Sequence, residues 1–402
     1  MVKLASALVE EGCRVSIVSP IYTETMVPLD LEYLRSPGIR GTPFIFARER
    51  HPLRYHWTGF RLRLARQQAA RNSLPNLSLN ELGRATTRAF PELLDLALSH
   101  SADMYYGGTA TGLSVAAEAA RLRGVPFALD LEDFHTGELD ASSHSDRTRR
   151  LMGEIEHRLL PKAAALTVAS DAIRAEYERT YDVRASTINN VFPLPDRVPD
   201  VSLARDGRLR LLWVSQVIGP DRGIEAAVNA MAEADVRGTL TLIGNSAGGY
   251  ASAIQTLASA RAPKLDVIHI PPSYQAQKKD HIIDLCRGYD VGLTLEQAGV
   301  LNRALCLCNK PFSYLPAGAA VAFTDTPGQR PLAEALGPAA LLFRIGDNAA
   351  FAAGLRAWSQ QPSMLLAAKT AAWEAARSRW HWEHPEERGR ALTLVQQALA
   401  GS

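Results

Sequence analysis

Three stretches in the second half of the chain place glycines or a cation where a strand gives way to a helix. That arrangement holds an anion through unpaired N–H groups and the helix dipole. In "SQVIGPDRGIE" a strand leads into a Gly-Pro loop, then Arg222 and Gly223, then a helix. In "LIGNSAGGY" a strand meets a glycine-rich loop that opens at Gly244. In "NKPFSYLPAGAAVAFTDTPGQ" Asn309 is the expected N-cap, Lys310 the cation beside it, and Gly318 the left-handed residue that stops a short helix. "AAVAF" then has the composition of a buried strand and "TDTPG" that of a turn, with Thr324, Asp325 and Thr326 beyond the strand end. Glu296, after "DVGLTL", and Asn302, in the loop that follows, offer a carboxylate and an amide that could hold a polar ligand, with loop capping the plainer role.

In the first half the informative run is "LDLEDFHTGE". Asp130 and Glu132 are expected on one strand face, Asp133 on the other, and His135 just past the strand end. His135 and Asp133, a base and an acid at a strand end, are the candidate catalytic groups, suited to moving a proton. Asp130 and Glu132 could instead form a divalent-metal pair. His381 and His384 in "HWEH" have a spacing that could touch a metal, but no third ligand is evident.

The elements that would position these groups alternate. "CRVSIVSP", "ADMYYGG", "PFALDLED", "ALTVAS" and "ASTINNV" are strand-like runs separated by helical segments, and the pattern restarts after a proline-rich linker near residues 192 to 207. The second series is "LRLLWVSQV", "GTLTLIG", "LDVIHI", "YDVGLTL" and "AAVAFTD". Strand-helix alternation predicts an α/β fold with two doubly wound parallel sheets, each with ligand-competent loops at the strand carboxyl ends and a cleft between lobes as the expected site. The boundaries expected are 1–195, 207–375 and a helical tail, 376–402, that docks on the body.

The 402 residues suit two domains rather than one core. Net charge is +2, which leaves no overall nucleic-acid footprint. Cys13, Cys286, Cys306 and Cys308 form neither a CxxC pair nor a disulfide framework, and are expected to be reduced, mostly buried thiols. No apolar run reaches the ~20 residues of a spanning helix and the first dozen residues are too polar for a signal peptide, so a cytoplasmic location is expected. From Arg48 to Arg71 the chain is strongly basic, with Trp57, Phe60 and Leu62 among the arginines. A solvated helix and loop is one reading; a surface for anionic membrane lipid or a lipid-linked acceptor is the other.

The ordered series "SQxIGxxRG", "LIG", "DVGL", "NKxFxYLxAG" and "TDTPGQ" resembles the donor lobe of GT-B fold glycosyltransferases, in particular the large retaining family 4. The resemblance implies two Rossmann-like domains, the first on the acceptor side and the second binding a nucleotide-sugar donor, with no cofactor and no metal. By this resemblance Arg222 stands where the family has a Lys for the donor diphosphate. Gln216, six residues earlier, replaces its Arg. Asn309 and Lys310 fill the family's Ser-Lys position, and Ser313 replaces its Glu. His135 resembles the group found near the reacting sugar. The implied partners are a nucleotide sugar and a glycan or lipid-linked acceptor in cell-surface glycan synthesis. Rival readings are a sugar-nucleotide epimerase on the same fold and a non-catalytic relative that binds nucleotide sugar.

A lobe of this class opens with a central strand and a glycine-rich loop, whereas "MVKLASALVEEG" has the spacing of the first helix and "CRVSIVSP" that of the second strand. The expectation is a sheet lacking its first strand, with an upstream segment of roughly 15 to 25 residues supplying it.

Overall fold

The computed structural model describes residues 2–138, 143–203, 206–271 and 279–401. The chain divides into two compact units, Met1–Asn189 with Arg388–Ser402, and Asn190–Glu387. The C-terminal segment is thus shared: its last helix belongs with the first unit and the residues before it with the second.

The first unit begins with α1 (Val2–Glu10), β1 (Val15–Ile21), α2 (Val27–Leu34) and β2 (Ile39–Ile45). Three helices follow, α3 (Pro52–Arg71), α4 (Leu79–Thr86) and α5 (Phe90–Leu98). Then strands and helices alternate: β3 (Tyr105–Gly108), α6 (Thr109–Arg123), β4 (Phe127–Leu131), α7 (Ser143–Leu159), β5 (Ala165–Val168), α8 (Asp171–Tyr181) and β6 (Ser186–Thr187). β1 and β2 pair in parallel as their own sheet, and β3 to β6 form a second parallel sheet in chain order. Among the described residues no strand joins β1 to β3. β2 is not legible in the sequence because Gly41 and Pro43 break its apolar run, which an edge strand tolerates.

The second unit runs β7 (Leu209–Ile218), α9 (Ile224–Ala234), β8 (Gly238–Ser246), α10 (Tyr250–Arg261), β9 (Leu265–Ile270), α11 (Lys279–Cys286) and β10 (Val291–Thr294). It continues through α12 (Leu301–Leu305), α13 (Lys310–Tyr314), β11 (Ala320–Thr324), α14 (Arg330–Leu336), β12 (Ala340–Phe343), α15 (Asn348–Gln360) and α16 (Pro362–Ser378). One parallel sheet has the order β12-β11-β10-β7-β8-β9. β10 and β11 are buried along their whole length, which is why their sequences show no polar alternation. α9 covers the sheet with Ile224, Ala227, Val228, Met231 and Ala234, one helical face.

At the amino end of this sheet Asp290 is buried and accepts bonds from Lys369 Nζ at 2.9 Å and from Arg210 Nε and Nη2 at 3.0 and 2.7 Å. The knot pins α16 to β7 and β10, away from the ligand-competent end. α17 (Arg390–Ala400) lies on the first unit, where Ala398 packs with Ala128 and Ala165. Cys286 is buried, its thiol pushed up to about 12 by desolvation. Cys13 is exposed, contrary to the expectation for it, because it follows the turn after α1 rather than sitting inside the strand.

Candidate active site

In the second unit the chain starts at β7, proceeds outward through β8 and β9, then returns to the other side of β7 with β10. The direction of winding therefore reverses between β7 and β10, and the carboxyl ends of those two strands are where a ligand fits in an open parallel sheet. Arg222 follows β7 and Glu296 follows β10. The two loops meet at Gly223, which has φ 73° and precedes α9. A Cβ there would lie 2.5 Å from the Leu295 carbonyl oxygen and from Gln297 Nε2, so only glycine lets the loops close.

Gly244, on the neighbouring strand β8, permits a similar close approach. The β7-β8 register shifts between Val214 and Val217, and Gly244, at φ 155°, passes so near that a Cβ would lie 2.2 Å from the Ser215 carbonyl oxygen. Gly244 is still inside β8, not in the loop expected after "LIG". Gln216 sits at the shift and is exposed.

Lys310 is not a free cation. Its Nζ donates to Glu296 Oε1 at 2.5 Å, lies 3.7 Å from Cys308 Sγ, and stands 4.5 Å from the centroid of the buried Trp213 ring. Burial alone would raise the Glu296 carboxyl, but Lys310, with Arg222 and Arg303 farther off, outweighs it and holds the group below the usual range. Burial works against the Lys310 ammonium too, and the neighbouring Cys308 sulfur and Glu296 carboxylate reverse that effect and raise it. The pair is thus ionised in both members.

Several sequence expectations for this end are corrected. Asn309 has helical backbone angles and its side chain makes no cap bond, because Pro311 already occupies the first turn of a five-residue helix. Ser313 is buried and donates to the Lys310 carbonyl at 2.8 Å, so it does not replace a ligand-facing Glu. Thr326 is also buried, its hydroxyl accepting from Gln329 N–H at 3.3 Å, and Thr324 donates to the Glu296 carbonyl at 2.7 Å. These two hold the turn and the Glu296 backbone. Asn302 lies in α12, not in a loop.

Two residues missed in the sequence belong to this set. Arg303 Nη1 and Trp213 Nε1 are buried without a hydrogen-bond partner among the described residues. Arg303 adjoins Asn302, and its charge reaches Glu296. Nothing in its spacing signals this. Trp213 is the one aromatic in the β7 run, which is the only hint the sequence offers of it.

In the first unit His135 opens a 3₁₀ turn after β4 and is 6% exposed. Its Nδ1 is 2.6 Å from Glu138 Oε1, and its backbone N–H donates to the Tyr177 hydroxyl at 3.2 Å. Tyr177 donates in turn to Glu156 at 2.7 Å, and Tyr181 donates to the other oxygen at 2.5 Å. Glu156 is fully buried, and desolvation raises its carboxyl. His135 Nε2 is buried with no partner among the described residues. Burial lowers its pKa, yet Glu138, Glu156 and Asp133 outweigh burial and raise it above the ordinary value near 6.5. The imidazole should accordingly titrate above the ordinary value in a proton NMR titration, and Glu138→Gln should bring it down; a value at or below the ordinary one would contradict this ion pairing.

Asp133 follows the strand, and its carbonyl lies 3.0 Å from the Tyr177 hydroxyl. Asp130 and Glu132 do not form the pair considered for a metal: the Asp130 carboxylate accepts from Thr167 at 2.9 Å, while Glu132 is exposed beyond the strand end. Among the described residues no group of three or more His, Cys, Asp or Glu side chains could hold a metal ion, and His381 is engaged with Glu383 at 3.1 Å. No helix among them is long and apolar enough to cross a membrane.

Residues 1–191 match the family model described as a glycosyl transferase 4-like domain. Among solved structures, sucrose-phosphate synthase from Thermosynechococcus elongatus is 14% identical, over 100% of this chain and 92% of its own, with a TM-score of 0.66. HepE of Anabaena, in complex with UDP, is 12% identical over 96% of this chain and 100% of its own, with a TM-score of 0.63. A TarM mutant of S. aureus, in complex with UDP, is 11% identical at a TM-score of 0.55; the match covers 76% of this chain, which spans 59% of the TarM length. No curated protein sequence matches. At these identities the likeness is one of fold, and the fold is GT-B. Residues 1–191, within the first unit but for the last two, are thus similar to a glycosyl transferase 4-like domain, and the chain as a whole has the GT-B fold.

Proposed function

We propose that the chain transfers a sugar from a nucleotide-sugar donor to an acceptor hydroxyl with retention, in cell-surface polysaccharide or glycolipid synthesis on the cytoplasmic side. The observation that carries the donor half is the convergence of Arg222, Gly223 and the Lys310–Glu296 pair at the point where the sheet reverses. Arg222 and the first N–H groups of α9 meet the diphosphate, and the Glu296 pair lies beside it. HepE structures with UDP and with UDP-glucose support a nucleotide-sugar ligand for this fold. In the first unit His135 presents a buried ring whose second nitrogen has no partner among the described residues, suited to a sugar or acceptor hydroxyl.

Since no residue of either group is a convincing nucleophile, the reaction is same-face displacement. The acceptor oxygen bonds to the anomeric carbon as the bond to the diphosphate oxygen breaks, and the acceptor proton passes to that leaving oxygen. Arg222 balances the departing charge, and no metal is required.

The test incubates the full chain with a panel of nucleotide sugars, with and without acceptor and with a chelator. Acceptor-dependent glycoside of unchanged anomeric configuration, formed in the presence of chelator, is expected. A free sugar or a new nucleotide sugar formed without acceptor would point to epimerase chemistry, and a manganese or magnesium requirement would contradict the charge assignment. His135→Ala should lower kcat by about a hundredfold, toward the low end for lost acid-base or polar assistance, and leave donor affinity nearly unchanged.

A further inference from the structure

α3 is apolar on two opposite sides. Thr58, Gly59 and Ala69 face inward and are buried, and Leu62, expected with the exposed aromatics, is partly buried on that side. Leu53, Trp57, Phe60 and Leu64 face outward at spacings of four, three and four, one stripe along the helix. They are 86%, 58%, 48% and 42% exposed, and the Trp57 and Phe60 rings stack 6.0 Å apart. A contiguous stripe of this kind is unlike singly scattered surface leucines.

Its flanks are cationic. From residue 48 to residue 71 there are seven arginines and one acid, Glu49. Arg61 and Arg66 are turned inward, to Glu92 at 2.5 Å and to the Ala85 carbonyl at 3.1 Å. Arg63 and Arg71 are exposed, on or beside the apolar stripe, with Arg48 just ahead of the helix, while Arg54 is exposed but donates to the Ile45 carbonyl at 2.7 Å.

We propose that this outward face of α3 lies in the interface of an anionic lipid bilayer, with Leu53, Trp57, Phe60 and Leu64 among the acyl chains and the arginines at the headgroups. A helix with an aromatic and aliphatic face bordered by arginines has the chemistry for that plane. A second copy of the chain fits less well, since a two-fold contact on the same patch would bring two strongly cationic surfaces together. The inference rests on α3 alone and is independent of the donor reading.

The test is co-sedimentation of the full chain with vesicles of phosphatidylglycerol and phosphatidylcholine, against pure phosphatidylcholine. Binding to the anionic vesicles, weakened by added salt, is expected. Trp57→Glu with Phe60→Glu should lower the bound-to-free ratio by about tenfold or more, and Arg63→Glu with Arg71→Glu should abolish the preference for anionic lipid. All four side chains are exposed, so unchanged circular dichroism and melting temperature are expected. Absence of binding to anionic vesicles, or binding that both double variants retain, would overturn the proposal. So would a dimer in light scattering that Trp57→Glu with Phe60→Glu dissociates while vesicles bind nothing.

Discussion

Replacing Asp290 with alanine should lower the stability of the second unit by about 3–5 kcal/mol, the range for removing one partner of a buried charge cluster. The carboxylate is 2% exposed and serves two cations, and its loss leaves Lys369, itself 1% exposed, with the Ser202 carbonyl at 3.0 Å as its remaining acceptor. Burial would raise the Asp290 carboxyl, but Arg210 and Lys369 outweigh burial and hold it below the ordinary aspartate value. A group depressed in the folded state adds stability that is full above the unfolded value, about 3.9, and is lost as pH falls through the folded value. The difference between wild type and Asp290→Ala, measured by denaturant unfolding, should therefore be largest near neutrality and shrink on acidification below about pH 4. A difference that stays constant with pH would mean that the cluster does not work as described.

The second large effect concerns Lys310 and Glu296. Lys310→Met should cost on the order of 3 kcal/mol, the low end for stranding a buried charge, because Arg222 and Arg303 still reach Glu296. Glu296→Gln should cost more, leaving the ammonium 11% exposed over the Trp213 ring with the Cys308 thiol near it. The double variant removes both charges, and its loss should fall short of the sum of the singles by up to about 3 kcal/mol. Additive losses would mean that the two side chains do not pair. Since its charge is already balanced by Glu296, Lys310 should matter less to diphosphate affinity than Arg222 does.

Alternation of buried strands and helices is legible because both sheets are parallel and helix-covered, and such strands write themselves as unbroken apolar runs. "YDVGLTL" and "AAVAF" are the plainest, and both are found. β12, "ALLF", is too short for its composition to separate it from the helix before it. Of the candidate site, what depends on backbone conformation is readable: Gly223 and Gly244 sit where a side chain would strike a neighbouring carbonyl. What depends on the direction of a side chain is not. Ser313 and Thr326 occupy positions that a linear motif assigns to ligand contact, yet both are turned into the unit to satisfy backbone groups. The tie between Lys310 and Glu296 joins the start of α13 to the residues just past β10, 14 positions apart, a proximity no local pattern encodes. Likewise the Glu156, Tyr177 and Tyr181 shell beneath His135 comes from two helices that follow it in the chain. The exposed face of α3 is legible as charge but not as an apolar stripe, since its inward residues are apolar as well.

In the proposed function the second unit binds a nucleoside diphosphate through Arg222, at the carboxyl ends of β7 and β10. Calorimetric titration of the full chain with a panel of nucleoside diphosphates, UDP among them, tests it directly, with Arg222→Ala beside wild type. Saturable binding of at least one, weakened in the variant by about 1.5–3 kcal/mol, the range for a charge-assisted hydrogen bond, is the predicted result. Heat of dilution alone across the panel, or an affinity unchanged by Arg222→Ala, would contradict it.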